Sequence, residues 1–231
     1  MRSSSTAVER DALAQCAAAL LALGLLAARG PAAAAEIAAV VKDHDGRPVA
    51  DAVVVAVPAE GAARSAPSAA PEIVDQVDMQ FVPRVKPVLV GSSVFFPNKD
   101  NLSHQVYSFS PAKQFELTLY AGTPARPVVF DKPGAVVLGC NIHDWMVGYV
   151  YVSESPHFAR TGEDGSARLR GLAPGQYTVR VWHPQLQGPE DATRQPADLT
   201  SRAQLDLAWR IALRPDTRIR RAPAAGSRGR Y

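Results

Sequence analysis

Cysteine is nearly absent from this chain: two residues in 231, Cys16 and Cys140. Methionine, with three, and histidine, with five, are almost as scarce. Apolar runs long enough to span a bilayer are missing as well. The one candidate, from about Ala17 to Ala28, is too short to cross comfortably. It follows Arg2 and Arg10 and leads into Ala33-Ala34-Ala35, an A-x-A pattern ahead of Glu36. A charged start, a short apolar run and small residues at its end make an export leader. Residues 1–35 are therefore expected to be a signal peptide cut near Ala35, and the mature chain to be periplasmic or secreted, with no transmembrane segment. Cleavage removes Cys16 and leaves Cys140 alone, which excludes an internal disulfide. An unpaired thiol in an oxidising compartment has to be buried or ligated.

A strong charge of one sign is also lacking. Of the formal +3, the leader carries +1 and the stretch 214–231 carries +5, which leaves the body between them at −3. A mildly acidic body excludes the broad basic surface of a nucleic-acid binder. Residues 214–231 place six arginines among Pro, Gly, Ala and Ser, the composition of a disordered basic tail.

Helix signals are sparse after the leader. Short β-branched and aromatic runs alternate with Gly, Pro, Asp and Asn, so the chain reads as all-β. Residues 36–60 read as strand, Asp-Gly turn, strand, and 61–71 as a small-residue linker. Residues 72–154 hold strand-length runs at the spacing of a Greek-key β-sandwich. In 155–213, Tyr177, Val179 and Val181 share one face, and Leu205, Leu207, Trp209, Ile211 and Leu213 alternate with polar or small neighbours. A period of two predicts a strand there, not a helix. The first and last of these pieces share a hairpin style, so they are expected to close into a second small β-sandwich with the middle segment inserted, the alternative being neighbouring but separate units.

What the middle does contain is "VVLGCNIHDWMVGYVYV", residues 136–152, where Cys140, His143 and Met146 stand at three-residue intervals between two apolar runs. Taken singly, a His or Met at a strand end is usually structural, and a buried Cys an inert small hydrophobe. Together, around the only mature cysteine, these scarce residues favour a metal. A trigonal His₂Cys set with a weak axial Met serves copper that cycles between Cu(I) and Cu(II). The second histidine would be His104, at the start of the predicted strand "HQVYSFS". Structural zinc prefers Cys and His without Met, and a binuclear copper centre needs a second cysteine. His44, His157 and His183 are scattered and are not expected to bind metal. No nucleophile–base pair or phosphate loop is evident, so an enzyme is not expected.

The stretch "FVPRVKPVLVGSSVFFPNKDNLSHQV" resembles the opening pattern of cupredoxins, and "FDKPGAVVLGCNIHDWMVGYVYV" resembles their closing hairpin. The two residues between His143 and Met146 match the short ligand loop of amicyanin, where plastocyanin has a longer one. More narrowly, "HQVYSFSPAKQFEL" with "LGCNIHDWM" is similar to exported cupredoxin-domain proteins of the methylamine utilization type. The flanks, "DGRPVADAVV" and "DGSARLRGLAPGQYTVRV", resemble carboxypeptidase-regulatory β-sandwiches. The resemblance implies a Greek-key cupredoxin β-sandwich holding one type 1 copper on His104, Cys140, His143 and Met146. It also implies a periplasmic blue-copper protein that passes single electrons between transient redox protein partners, with the His143 edge beside Trp145 as the exit. Copper storage or delivery, and a metal-free interaction module, are the alternative readings. Two positions depart from the family pattern: Ile142 where many members have Pro before the loop His, and Gln105 where many have Asn after the first His. Both adjoin ligands, where hydrogen bonding tunes a metal's potential.

Overall fold

The computed structural model describes residues 34–59, 66–124 and 126–216. Most of the expected signal peptide, residues 61–65 of the linker, and 217–231 of the basic tail lie outside the described residues. Arg214 and Asp216 are described, and both are tied to the body. The Arg214 N–H donates to Gln185 O (2.8 Å), and Asp216 Oδ2 faces Arg84 Nη2 at 3.9 Å.

The described residues are all-β apart from one 3-10 turn, Glu190–Thr193. Two strands come first, β1 (Ala35–Asp43) and β2 (Val53–Pro58). The middle segment supplies β3 (Glu72–Ile73), β4 (Asp75–Val77), β5 (Gln80–Val82), β6 (Val85–Leu89), β7 (Ser92–Phe95), β8 (His104–Ser110), β9 (Lys113–Tyr120), β10 (Val128–Phe130), β11 (Gly134–Leu138) and β12 (Gly148–Ser153). The last segment supplies β13 (Phe158–Arg160), β14 (Ser166–Leu172), β15 (Gln176–Trp182), β16 (Gln195–Asp198) and β17 (Gln204–Ile211).

The first and last segments share one core. One sheet runs β14-β1-β17 and the facing sheet runs β13-β2-β15-β16. Ile37, Val41, Val54, Val179, Val181 and Leu169 are among the side chains buried between them. The alternation around Trp209 does form a strand: β17 lies parallel to β1, in register from Glu36↔Gln204 to Asp43↔Ile211. Ala35 already belongs to β1 and is 1% exposed, so folding uses the chain right up to the expected cut.

The middle segment has its own core, in which Phe96, Phe130, Leu138, Val106, Cys140 and Met146 are buried. Here β12 pairs antiparallel with β11 and parallel with β6, while β3 runs parallel to β7. Parallel partners cannot be joined by tight hairpins, so the chain crosses between layers. That crossing brings the end of β11 beside the start of β8.

A third apolar layer joins the two sandwiches. Strand β2 reads "VVVAV" without alternation because it is covered on both faces. Val54 and Ala56 enter the flanking core, whereas Val53 and Val55 meet Val85 and Tyr151 of the middle segment. Trp182 packs between Tyr151 and Tyr149, with ring centroids 5.1 and 6.0 Å away. At the layer's edge, Tyr151 Oη donates to Glu190 Oε1 (2.6 Å), and Arg180 Nε donates to the same oxygen (2.6 Å).

Candidate metal centre

His104 opens β8 and is fully buried. The loop before it is shaped by Asn98, whose Nδ2 donates to Leu102 O (2.8 Å) and Tyr120 O (3.0 Å), while its Oδ1 accepts from the Asp100 N–H (3.0 Å). Asp100 is thereby turned inward, and its Oδ2 lies 2.7 Å from His104 Nε2. The same carboxylate accepts the backbone N–H groups of Asp78 (2.7 Å) and Met79 (2.9 Å). These two residues form the tip between β4 and β5 with φ of 52° and 56°, a conformation non-glycine residues adopt reluctantly. Burial pushes the Asp100 pKa up, but the hydrogen bonds from His104, Met79 and Asp78 outweigh it and hold the carboxyl below its usual value. A charged acceptor at Nε2 assigns the ring proton there and leaves the Nδ1 lone pair free to ligate.

Cys140 follows β11 and is 3% exposed. Its neighbour Gly139 exchanges both backbone hydrogen bonds with Tyr107 (3.0 and 3.1 Å), which locks the end of β11 against β8. A Cβ on residue 139 would lie 2.7 Å from Tyr107 Cζ, so any other residue there would push the tyrosine ring aside. After Cys140 the chain turns tightly, with the Met146 N–H donating to His143 O at 2.9 Å.

The result is a compact donor set. Cys140 Sγ stands 3.9 Å from Nδ1 of His104 and 3.9 Å from Nδ1 of His143. One ligand atom from each residue lies within 4.8 Å of the others. A trigonal metal with bonds of about 2.3 Å to sulfur and about 2.0 Å to nitrogen separates sulfur from nitrogen by about 3.8 Å. Both sulfur–nitrogen spacings match those around a single trigonal ion. The two imidazole rings meet edge to face, with centroids 5.0 Å apart.

Met146 is 1% exposed and shares the apolar cluster of Cys140. His143 is only half-buried, and Trp145 packs against it with centroids 5.1 Å apart. Burial, reinforced by His104 and opposed by Asp100, lowers the His143 pKa, which favours the neutral ring that a metal requires. Burial pushes the nearby Tyr120 hydroxyl up to about 12, with Cys140 adding to the effect.

Both departures noted in the sequence acquire a local role. Gln105 Oε1 accepts from Asn141 Nδ2 (2.6 Å) and its Nε2 donates to Glu116 Oε1 (2.5 Å), so an amide bridge ties the two ligand-bearing segments. Ile142 is 52% exposed and places an apolar side chain beside His143. His183 stands elsewhere, buried, with Nδ1 accepting the Gln185 N–H (3.1 Å). Among the described residues, the one group of three or more His, Cys, Asp or Glu side chains able to hold an ion is His104, Cys140 and His143. The sequence reading gave no role to Asp100. Its signal, an acid four residues before a candidate ligand, is too common to single out.

No protein-family model matches the chain, and no curated protein matches it in sequence. Solved structures do resemble it in part. A copper-containing nitrite reductase from Thermus scotoductus is 25% identical over 43% of this chain and 26% of that one, with a TM-score of 0.36. A purple cupredoxin from Nitrosopumilus maritimus is 24% identical over 35% of this chain and 96% of that one, with a TM-score of 0.31. A reduced amicyanin variant is 21% identical over 42% of this chain and 98% of its own, with a TM-score of 0.33. The matched region thus spans about a quarter of the nitrite reductase and nearly all of the two smaller proteins. What the centre can hold is decided by its own side chains.

Proposed function

We propose that this chain is an exported, periplasmic type 1 copper protein that carries single electrons between redox partners, and not a catalyst. The observation that carries the reading is the donor set: one thiolate-forming sulfur 3.9 Å from two imidazole nitrogens, at the end of a rigid sheet. His104, Cys140 and His143 would hold the ion, with Met146 as the weak axial ligand. Copper bound there would take up and give back one electron. The chain's contribution is to keep the donors still. His104 is fixed by Asp100, Cys140 by the Gly139–Tyr107 pairing, and the loop by the His143–Met146 turn and the Gln105–Asn141 bridge. Burial of His104 and Cys140 keeps water from the inner side, while the half-buried His143 leaves one imidazole edge toward solvent. Exposed Ile142 beside that edge suits the weak, brief docking that electron carriers need. A delivery protein would need donors that let go easily, and the fixed His104 and Cys140 favour the carrier.

The test is the visible spectrum of the full chain loaded with Cu(II). An intense blue or purple band that disappears in Cys140→Ser supports the proposal. A pale protein that nonetheless binds Cu(I) tightly would replace it with copper delivery.

A further inference from the structure

One face of the middle sandwich is covered at one side and bare at the other. Tyr107 stands opposite Gly139, and the same antiparallel register places Phe109 opposite Val137, which pairs in turn with Tyr149. Opposed residues share a side of a sheet, so Phe109, Val137 and Tyr149 form one row across β8, β11 and β12. At the covered end Tyr149 packs against Trp182 of the flanking sandwich, in the same apolar layer as Val53 and Val55 of β2. At the bare end Val137 is 46% exposed and Phe109 78%, the highest value for a large apolar side chain among the described residues. The Phe109 ring touches only one other aromatic among them, Tyr107, with centroids 5.2 Å apart. Exposed apolar surface that continues a packed layer marks a place where something else docks.

The bare row lies directly behind the candidate centre. Gly139 O accepts the Tyr107 N–H (3.1 Å), and the Tyr107 ring lies against Gly139, the residue joined to Cys140. From the Cys140 sulfur, the face is reached through the backbone and across a single hydrogen bond. The half-buried His143 edge is a separate opening, on the loop. The border of the face is polar. Gln105, Gln114 and Glu116 occupy the outward positions beside the row. Glu116 accepts from Gln105 and is in no ion pair among the described residues, while Lys113 is paired with Asp131. The face is therefore apolar at its centre and negative at its rim.

We propose that the Tyr107–Phe109–Val137 face docks a second redox partner, a ferric haem protein whose haem edge is framed by apolar side chains and ringed by lysines. The inference rests on the electron-carrier reading and adds a port to it. Phe109 and Val137 meet the apolar frame, as Tyr149 already meets Trp182, and Glu116 meets a lysine. The partner on this face takes one electron, its haem iron passing from ferric to ferrous, while a donor at the His143 edge loses one. No bond is made or broken and no proton moves. With two ports, the chain relays an electron without first releasing its donor.

The experiment is a titration of the nitrogen-15-labelled, metal-free full chain with ferricytochrome c, followed by amide shifts and line broadening. It needs no copper, so its failure is distinguishable from failure of the visible-spectrum test of the carrier reading. We expect saturable changes centred on Tyr107, Phe109 and Val137. Phe109→Ser, at a position too exposed to endanger folding, should weaken the complex by at least about fivefold, and Glu116→Lys by about two- to tenfold. The absence of saturable change at millimolar cytochrome c would overturn the proposal, as would changes confined to residues 141–145. A Phe109→Ser chain that binds as well as the parent would do the same. So would sedimentation showing that the parent pairs with its own copies and Phe109→Ser does not, since the face would then be covered by a second copy.

Discussion

Replacing Asp100 with asparagine changes a carboxylate into an amide of the same shape, and the structure fixes what that does. Three donors converge on two oxygens: His104 Nε2 and the Met79 N–H on Oδ2, and the Asp78 N–H on Oδ1. An amide has one oxygen, so in either orientation at least one donor faces an NH₂ group. With the side chain only 12% exposed, water compensates little. The orphaned donor costs about 1–3 kcal/mol, and it falls on a turn that already holds two residues at positive φ. The ligand is affected separately. A neutral amide oxygen accepts the His104 proton more weakly than a carboxylate does, so Nδ1 becomes a poorer donor. Loss of such an outer partner lowers metal affinity by about 10- to 100-fold. We therefore expect Asp100→Asn to unfold at lower urea in the metal-free form, and to lose copper to a competing chelator about 10- to 100-fold more readily. An affinity within about threefold of the parent, with Cys140→Ser abolishing binding in parallel, would refute the assignment of Asp100 as the group that orients His104.

Other outcomes follow from separate parts of the fold. Gly148→Ala should destabilise the chain by about 1–3 kcal/mol in urea unfolding, because the new Cβ would stand 2.7 Å from Phe81 Cβ, close to backbone that cannot yield. His183 gives a pH dependence whose sign is determined. Its folded pKa of about 4 lies below the unfolded value near 6.5, so the unfolded chain takes up the proton first. Its contribution is intact above pH 6.5 and is lost as the pH falls toward 4, for a total of about 3 kcal/mol. His183→Gln should flatten the stability curve across that window, and an unchanged slope would count against the burial argument. Trp182→Ala removes the ring packed on Tyr149 and Tyr151; we expect a loss of about 3–5 kcal/mol by calorimetric melting.

The Cys140–His143 half of the donor cluster could be read before the fold was known, because the two residues stand three apart in one short loop. His104 required more, since only the pairing of β8 with the end of β11 carries it 36 residues back to Cys140. Asp100 could not be read. Its importance comes from the inward turn imposed by Asn98 and from the distant tip at Asp78, neither of which leaves a periodic mark. Strand β17 was legible from its alternation, whereas the unbroken valines of β2 said only that the strand is buried. That they face two different cores is a property of the assembled layers. The basic tail was drawn from residue 214 by composition, yet the Arg214 N–H bonds to Gln185 O; a backbone contact of that kind has no compositional signature.

The double burial of β2 bears on how such a protein can be taken apart. If the segment carrying the candidate centre were excised as a minimal unit, Val85, Tyr149 and Tyr151 would lose their cover and face water as a sticky stripe. The remainder would carry Val53, Val55 and Trp182 in the same condition. Each fragment would then be prone to clump with its own copies, and gene fusions that borrow only one of them would inherit that defect. In engineering terms the two sandwiches are a single part, to be moved together or not at all.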